Sequence, residues 1–356
     1  MNSRFSGVYR VLEEAIAAGA FPGCAFGVLA EGEVVLQDAL GRFTYEDDAP
    51  AVNPETVYDV ASLTKVVATT AAAMLLVQRG LLDLDTPLGE LLPGFVVGRA
   101  RGSNAQHVKL RHLLAHNSGL PGYVEFFRTA RTSAALYQAC LELPLEADPG
   151  ARAEYSDPGF MLLGKALEVC TGESLDRWVA REVFQPLALS TTQFCPPPLT
   201  RSAIPPTEVD TALRQRRIQG EVQDENAWIL KGVAGHAGLF TNVPDLLRFA
   251  AEMRDAFDGS SSLFEQKTAE QFAERQSPGG SSRALGWDTP SENSSAGRFF
   301  SPGSIGHLGF SGCSLWIDRE KGVAVALLSN RTWPDRQNQM IRQVRPWFHD
   351  AVRSVL

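Results

Sequence analysis

The chain has 356 residues, 44% hydrophobic and 21% charged, which excludes disordered and fibrous classes and leaves enough apolar material for a large core or two interleaved subdomains. Its formal charge is −8, and its only dense basic run is Arg214, Arg216 and Arg217, so it carries no electrostatic footprint for nucleic acid. No uninterrupted apolar run reaches the roughly 18 residues of a membrane span, and the segment from Ala15 to Ala30 is broken by Gly19, Pro22 and Gly23, so neither a transmembrane segment nor a signal peptide is expected.

In chain order, a helix is expected from Tyr9 to Ala18, followed by two strands, Cys24 to Leu29 and Glu33 to Leu40, around the turn Ala30-Glu31-Gly32. Asp59-Val60-Ala61 then leads into Ser62-Leu63-Thr64-Lys65 and an apolar helix from Val66 to Val77 that stops at Arg79-Gly80. Ser62 and Lys65 stand three residues apart and share one helix face. Serine is a weak nucleophile at neutral pH and needs a base in hydrogen-bond reach, which such a lysine can supply or help to supply. At the positive end of that helix the Ser62 amide is free to bind a developing oxyanion. The alternative is an N-cap serine beside a solvated lysine.

From Leu81 to about Leu230 the pattern is helical: Leu110 to Leu114, Ser133 to Leu143, Gly159 to Cys170 and Leu175 to Phe184, joined by Pro/Gly loops. Gly259 to Ser262, Ser277 to Ser282 and Ser291 to Gly297 are expected as exposed loops. Three apolar runs, Gly306 to Phe310, Cys313 to Asp318 and Val323 to Ser329, predict an antiparallel meander, and Gln337 to Val355 a last amphipathic helix. The expected architecture is α/β (α+β): one catalytic domain over 1–356, with a sheet subdomain near 1–80 and 231–356, a helical subdomain near 81–230, and a cleft at their junction.

Cys24, Cys140, Cys170, Cys195 and Cys313 are odd in number, scattered and free of C-x-x-C spacing, so neither a zinc site nor a disulfide framework is expected. Mostly buried thiols fit a cytoplasmic location, or a periplasmic or secreted one if an export signal has been trimmed. His112 and His116 lie four apart without an accompanying glutamate, and packing is expected rather than a metal.

Tyr155-Ser156-Asp157 precedes the helix at Gly159, and His307-Leu308-Gly309 opens a strand far downstream. With Ser62-x-x-Lys65, with the stretch from Leu110 to Pro121, and with Gly235-His236-Ala237-Gly238-Leu239-Phe240 before Asp245-Leu246, the chain from about Pro22 to Arg331 resembles the serine β-lactamase and penicillin-binding-protein superfamily. The likeness is to the branch of class C β-lactamases, D-alanyl-D-alanine carboxypeptidases and β-lactamase-fold esterases. It implies an antiparallel sheet flanked by helices plus a helical region. It also implies an acylated Ser62, Lys65 as its hydrogen-bonded partner, and Tyr155 as a phenol that moves protons. A phenol ionises near pH ~10, so Tyr155 acts either as a phenolate stabilised by Lys65 or as a relay, and the residues leave both open. The third motif implies a second oxyanion donor, the Phe310 amide, with Gly309 letting substrate lie close to the strand.

Two departures from the family pattern bear on substrate. Lys-Thr-Gly or His-Thr-Gly, which binds a substrate carboxylate, is replaced by His307-Leu308-Gly309; leucine has no hydroxyl and an ordinary histidine is mostly neutral, so anion recognition is expected to weaken unless Ser311 or an arginine compensates. Asp157 stands where asparagine is common; near Lys65 it would hold the lysine protonated and repel anions, or else it caps the next helix. Gly220 to Asn226 resembles a cleft-bordering segment, although a charged surface loop is the plainer expectation.

The sequence therefore predicts a cofactor-free serine hydrolase with an acyl-enzyme on Ser62. Its partners would be small-molecule or short-peptide substrates, and small esters or amides are expected over penicillins or D-Ala-D-Ala peptides. A carboxypeptidase or β-lactamase is the enzymatic alternative, and a non-catalytic penicillin-binding or sensor protein the alternative of another class.

Overall fold

Strands from both ends of the chain meet in one sheet. The computed structural model describes residues 3–100 and 102–356. Its strands are β1 (Gly23–Ala30), β2 (Glu33–Gly41), β3 (Tyr58–Asp59), β4 (Gln193–Phe194), β5 (Pro206–Asp210), β6 (Arg216–Gln219), β7 (Leu239–Thr241), β8 (Ile305–Leu308), β9 (Ser314–Asp318) and β10 (Val323–Ser329). Five of them form an antiparallel sheet in the order β2-β1-β10-β9-β8. The hairpin and the meander expected from the sequence are both in it, with bounds shifted by a residue or two.

β10 is apolar on every residue up to Ser329 because both of its faces are covered. Val323, Val325 and Leu327 pack in a core with the helices Ser6–Ala17 and Ile341–Arg353, while Ala324, Ala326 and Leu328 face a larger core containing the helices Ala71–Gln78 and Val243–Phe257. Successive side chains on a strand point to opposite faces, so this alternation sorts the larger residues to one side and mostly alanines to the side that meets the Val243–Phe257 helix.

The helical run from Ala61 to Gln78 crosses that larger core. It is long and apolar enough by composition to span a membrane, yet 83% of it is buried inside the fold. It opens as a tight 3-10 turn at Ala61–Leu63, widens to a π-type turn over Lys65–Thr70 and becomes a regular helix at Ala71–Gln78, ending where Gly80 takes φ +67°. Such π turns are rare and concentrate at functional sites.

The middle of the chain is not uniformly helical, which corrects the sequence expectation. β4, β5 and β6 fall within it; β5 and β6 form a ribbon, and β3, β7 and β4 make a small antiparallel sheet. β4, with two residues, carries no alternation to detect, and β5 and β6 are mostly polar and show no apolar run. The small sheet matters because the chain runs directly from β3 into the Ser62 turn, and Val60 donates its amide to Leu239 O at 3.1 Å.

Candidate active site

Ser62 lies in the first turn of the buried helical run, and the lysine one turn on reaches back to it. Lys65 Nζ is 3.0 Å from Ser62 Oγ, 2.7 Å from Asp157 Oδ1 and 3.1 Å from the carbonyl oxygen of His236. An ammonium has three N–H groups, and here three acceptors surround it. The lysine side chain is fully buried, which by itself drives the pKa down; Asp157 and Tyr155 outweigh that burial and leave it raised above the ordinary lysine value. The third acceptor depends on a glycine. A Cβ on Gly235 would sit 2.1 Å from Phe160 O, so only glycine lets this segment close on the helix Asp157–Thr171 and bring His236 O to Lys65.

Tyr155 sits on a loop that the stretch from Leu110 to Pro121 and Gly122 hold from both sides. His116 O accepts the amide of Glu154, His116 Nδ1 that of Ser156, Pro121 O the Ser156 hydroxyl, and Gly122 O the amide of Asp157, all at 2.7–3.0 Å. Those bonds account for the stretch that the sequence singled out. Ser156, not Asp157, caps the following helix by accepting the Gly159 amide, so the capping alternative for Asp157 is corrected and its carboxylate serves Lys65. The Tyr155 ring lies 4.5 Å from the His116 ring, 4.8 Å from Lys65 Nζ and 5.2 Å from the Arg283 guanidinium. Burial raises the phenol's pKa, Lys65 pulls it down and Asp157 raises it again, with a net rise. Tyr155 is therefore a neutral phenol at pH 7.

Two backbone amides face the cleft. The Ala61 carbonyl accepts the Thr64 hydroxyl at 2.6 Å, which turns it into the helix, and because a trans peptide sets N–H opposite C=O, the Ser62 amide points the other way. The Gly309 carbonyl likewise accepts Arg345 Nη2 at 2.5 Å and the Gly312 amide at 3.1 Å, which turns the Phe310 N–H away from both. Among the described residues neither amide has a hydrogen-bond partner, and both residues line one cleft of about 530 Å³ with Tyr155, Asp157, His307, Leu308 and Gly309. The steric reason for Gly309 differs from the one expected. A Cβ there would meet Val60 O at 2.4 Å, so the glycine lets the Phe310 turn dock on the Ser62 turn rather than making room for substrate.

His307 is buried and its pKa is driven well below the ordinary value by burial, Lys65 and Arg283, so it offers no cation. Its Nδ1 bonds the Leu308 carbonyl at 2.8 Å and must carry the proton, which leaves Nε2 a bare acceptor without a partner among the described residues. His116 takes the opposite tautomer, since its Nδ1 accepts an amide. His112 Nδ1 accepts the Lys109 amide. Ser311 does not compensate for the missing threonine hydroxyl, because it is buried and donates to Asp59 O at 2.7 Å. Arg283 and Arg342 do line the cleft.

Gln223, Asp224 and Glu225 line the cleft, as the resemblance of this segment implies and against the plainer expectation of a charged surface loop. Their charges are spent internally: Asp224 meets His236 Nε2 at 2.9 Å, and Glu225 meets Arg336 Nη2 at 2.7 Å. Asp224's carboxyl is held down at about 2, since His236 and the amide of Ala227 overcome its burial. Two further cleft residues carry no local sequence signal: Asp59 stands only as lead-in to the Ser62 turn, and Arg283 lies in Ser/Gly-rich surroundings. All five cysteines are free thiols, three of them buried.

Comparison with known proteins agrees with this geometry. A family model described as Beta-lactamase matches residues 8–345. A Salmonella typhimurium protein provisionally named D-alanyl-D-alanine carboxypeptidase is 30% identical, with 90% of this chain and 81% of that protein covered. An N-acetylmuramyl-L-alanine amidase of Bacillus subtilis is 31% identical, with 91% and 80% covered. Among solved structures, EstCE1, described as a hydrolase with promiscuous acyltransferase activity, superposes with a TM-score of 0.81 at 23% identity over 99% of this chain and 98% of that one. A penicillin-binding-protein homolog from Caulobacter crescentus superposes at 0.79 and 20% identity over 100% and 98%. The sheet, the helical run behind Ser62 and the match over nearly the whole chain place this protein in the β-lactamase family of serine hydrolases.

Proposed function

We propose that Ser62 is acylated by a small ester or amide and that Tyr155, not Lys65, carries its proton. The observation behind this is the saturated Lys65 ammonium: with its N–H groups directed at Ser62 Oγ, Asp157 and His236 O, and its pKa raised, it has no lone pair with which to act as base. It serves as a fixed positive charge that steadies the developing alkoxide. A neutral Tyr155 relays. As Ser62 Oγ bonds the carbonyl carbon, its proton passes to Tyr155 Oη while the Tyr155 proton passes to the leaving oxygen or nitrogen, whose bond to carbon breaks. Water then attacks the acyl-enzyme and the same relay runs in reverse. The amides of Ser62 and Phe310 are the oxyanion donors.

Neutral short-chain substrates fit best, because Leu308 offers no hydroxyl, His307 is neutral and Asp157 sits beside the nucleophile. Reading Asp157, His307, Leu308 and Gly309 as substrate-binding residues thus narrows: Asp157 orders Lys65, Gly309 docks the turn, Leu308 meets substrate, and His307, whose Nε2 is buried, backs the cleft wall. A second reading, cleavage of peptides ending in a carboxylate, is supported by the name of the Salmonella relative and by Arg283 and Arg342 on the cleft wall. Rates with p-nitrophenyl acetate and butyrate, nitrocefin and an acylated D-Ala-D-Ala peptide, beside Ser62→Ala, decide. Faster turnover of the nitrophenyl esters supports the first reading, and faster turnover of the peptide the second.

A further inference from the structure

Asp59 is a buried carboxylate that touches no side-chain cation among the described residues. Its Oδ1 accepts the Ala61 amide at 2.9 Å and its Oδ2 the Gln223 amide at 2.7 Å, while its backbone carbonyl accepts the Ser311 hydroxyl at 2.7 Å. Each bond leads to the reacting centre. Ala61 precedes the nucleophile and holds φ +47°, a left-handed conformation that a residue with a Cβ adopts only under constraint. Ser311 follows Phe310, whose turn already rests on Val60 O through Gly309. Gln223 precedes Asp224, which binds the His236 ring, and the His236 carbonyl completes the shell of Lys65.

We propose that Asp59 is a positioning residue that locks the Ser62 and Phe310 turns into one anion-binding pair, its carboxylate holding the strained Ala61 and its carbonyl tethering the Phe310 turn. Burial pushes its carboxyl up to about 6 against the pull of the two amides, so the ionised form this role needs is disfavoured by the fold. Function, not packing, accounts for an acid at this position. Of the charged groups around it, Asp224 raises it further and Arg214 lowers it.

The inference rests on the acyl-enzyme reading above, and the test separates the two. Asp59→Asn keeps the shape but turns an N–H donor toward one of the two amides. Wild-type protein, Asp59→Asn, Ala61→Gly and the double variant are compared in three ways: acylation by p-nitrophenyl acetate, inhibition by phenylboronic acid, whose tetrahedral adduct on serine mimics the oxyanion, and Tm. Asp59→Asn is expected to lower kcat/KM and boronate affinity on the order of 10- to 100-fold with Tm held within about 2 °C. Glycine adopts the φ of Ala61 without help, so adding Ala61→Gly recovers about tenfold of that loss, more than it changes the wild-type background. Unchanged acylation in Asp59→Asn, or no such recovery, overturns the proposal. Should Asp59→Asn not fold, Ser311→Ala removes the second tether alone; it is expected to weaken boronate binding several-fold at near-constant Tm, and unchanged binding overturns the proposal. Wild-type protein that reacts with neither reagent refutes the acyl-enzyme reading itself.

Discussion

Asp157→Asn probes the electrostatics of the whole centre, because it removes one charge and leaves the shape. The lysine side chain is fully buried and the two charges lie 2.7 Å apart. At an effective dielectric of about 20, a pair at that distance is worth about 6 kcal/mol, set against the burial that already works against the ammonium. Breaking a buried pair by removing one partner typically costs about 3–5 kcal/mol, and Lys65 escapes part of it by giving up its proton, so about 3 kcal/mol is the expected loss. For a chain of 356 residues that is a Tm lowered by about 4 °C. The sign with pH follows from the raised pKa of Lys65. Its stabilisation is complete at neutral pH and is lost only as pH rises through the folded-state value, so the gap between variant and wild type is wide near neutrality and closes above about pH 10. Scanning fluorimetry across that range measures it. Acylation rates on the same samples gain a titration in the variant, as Lys65 loses its proton within the assay range. An unchanged Tm near neutrality, or a gap that widens with alkali, would refute the reasoning.

Further outcomes follow from the same geometry. Tyr155→Phe keeps the contact with His116 and is expected to slow acylation about 10²- to 10⁴-fold without shifting Tm, measured with p-nitrophenyl acetate. Gly309→Ala drives a Cβ toward Val60 O, 2.4 Å away, and is expected to lose about 1–3 kcal/mol of stability in chemical denaturation, together with most acylation. Leu308→Thr restores a hydroxyl at the strand edge and is expected to lower KM for an acylated D-Ala-D-Ala peptide about tenfold while leaving the ester KM unchanged, which steady-state kinetics resolves. Asp59, pushed up to about 6, has a folded-state value above its unfolded one, so its contribution to stability falls as pH rises from about 4 to 6, whereas acylation rises over the same interval; a rate independent of pH there contradicts its assigned role.

What the sequence made legible was local or repeated in character. Ser62 and Lys65 could be paired because three residues make nearly one helical turn, and β10 with its neighbours because strands of five to eight residues show themselves as apolar runs. Tyr155, His307 and Phe310 were found through motif resemblance rather than through any local physical signal. What stayed hidden depends on contacts between distant segments. The bond from Lys65 to His236 O spans 171 positions, and the one from Gln223 to Asp59 spans 164. The loop around Asp224 looked solvated because its composition is charged, yet each acid finds a partner within the fold: Asp224 the buried His236, Glu225 the half-exposed Arg336, and Glu221 the arginines Arg201 and Arg216. The role of Gly309 was misread for a related reason: sequence shows a glycine's freedom but not which backbone approaches it.

The central claim is that Ser62 bears the acyl group, and mass spectrometry of the quenched reaction tests it most directly. After a short exposure to p-nitrophenyl butyrate or a fluorophosphonate, a single adduct is predicted on the tryptic fragment from Phe43 to Lys65, absent in Ser62→Ala and slowed in Tyr155→Phe. An adduct on another fragment, or one that survives in Ser62→Ala, would contradict the account.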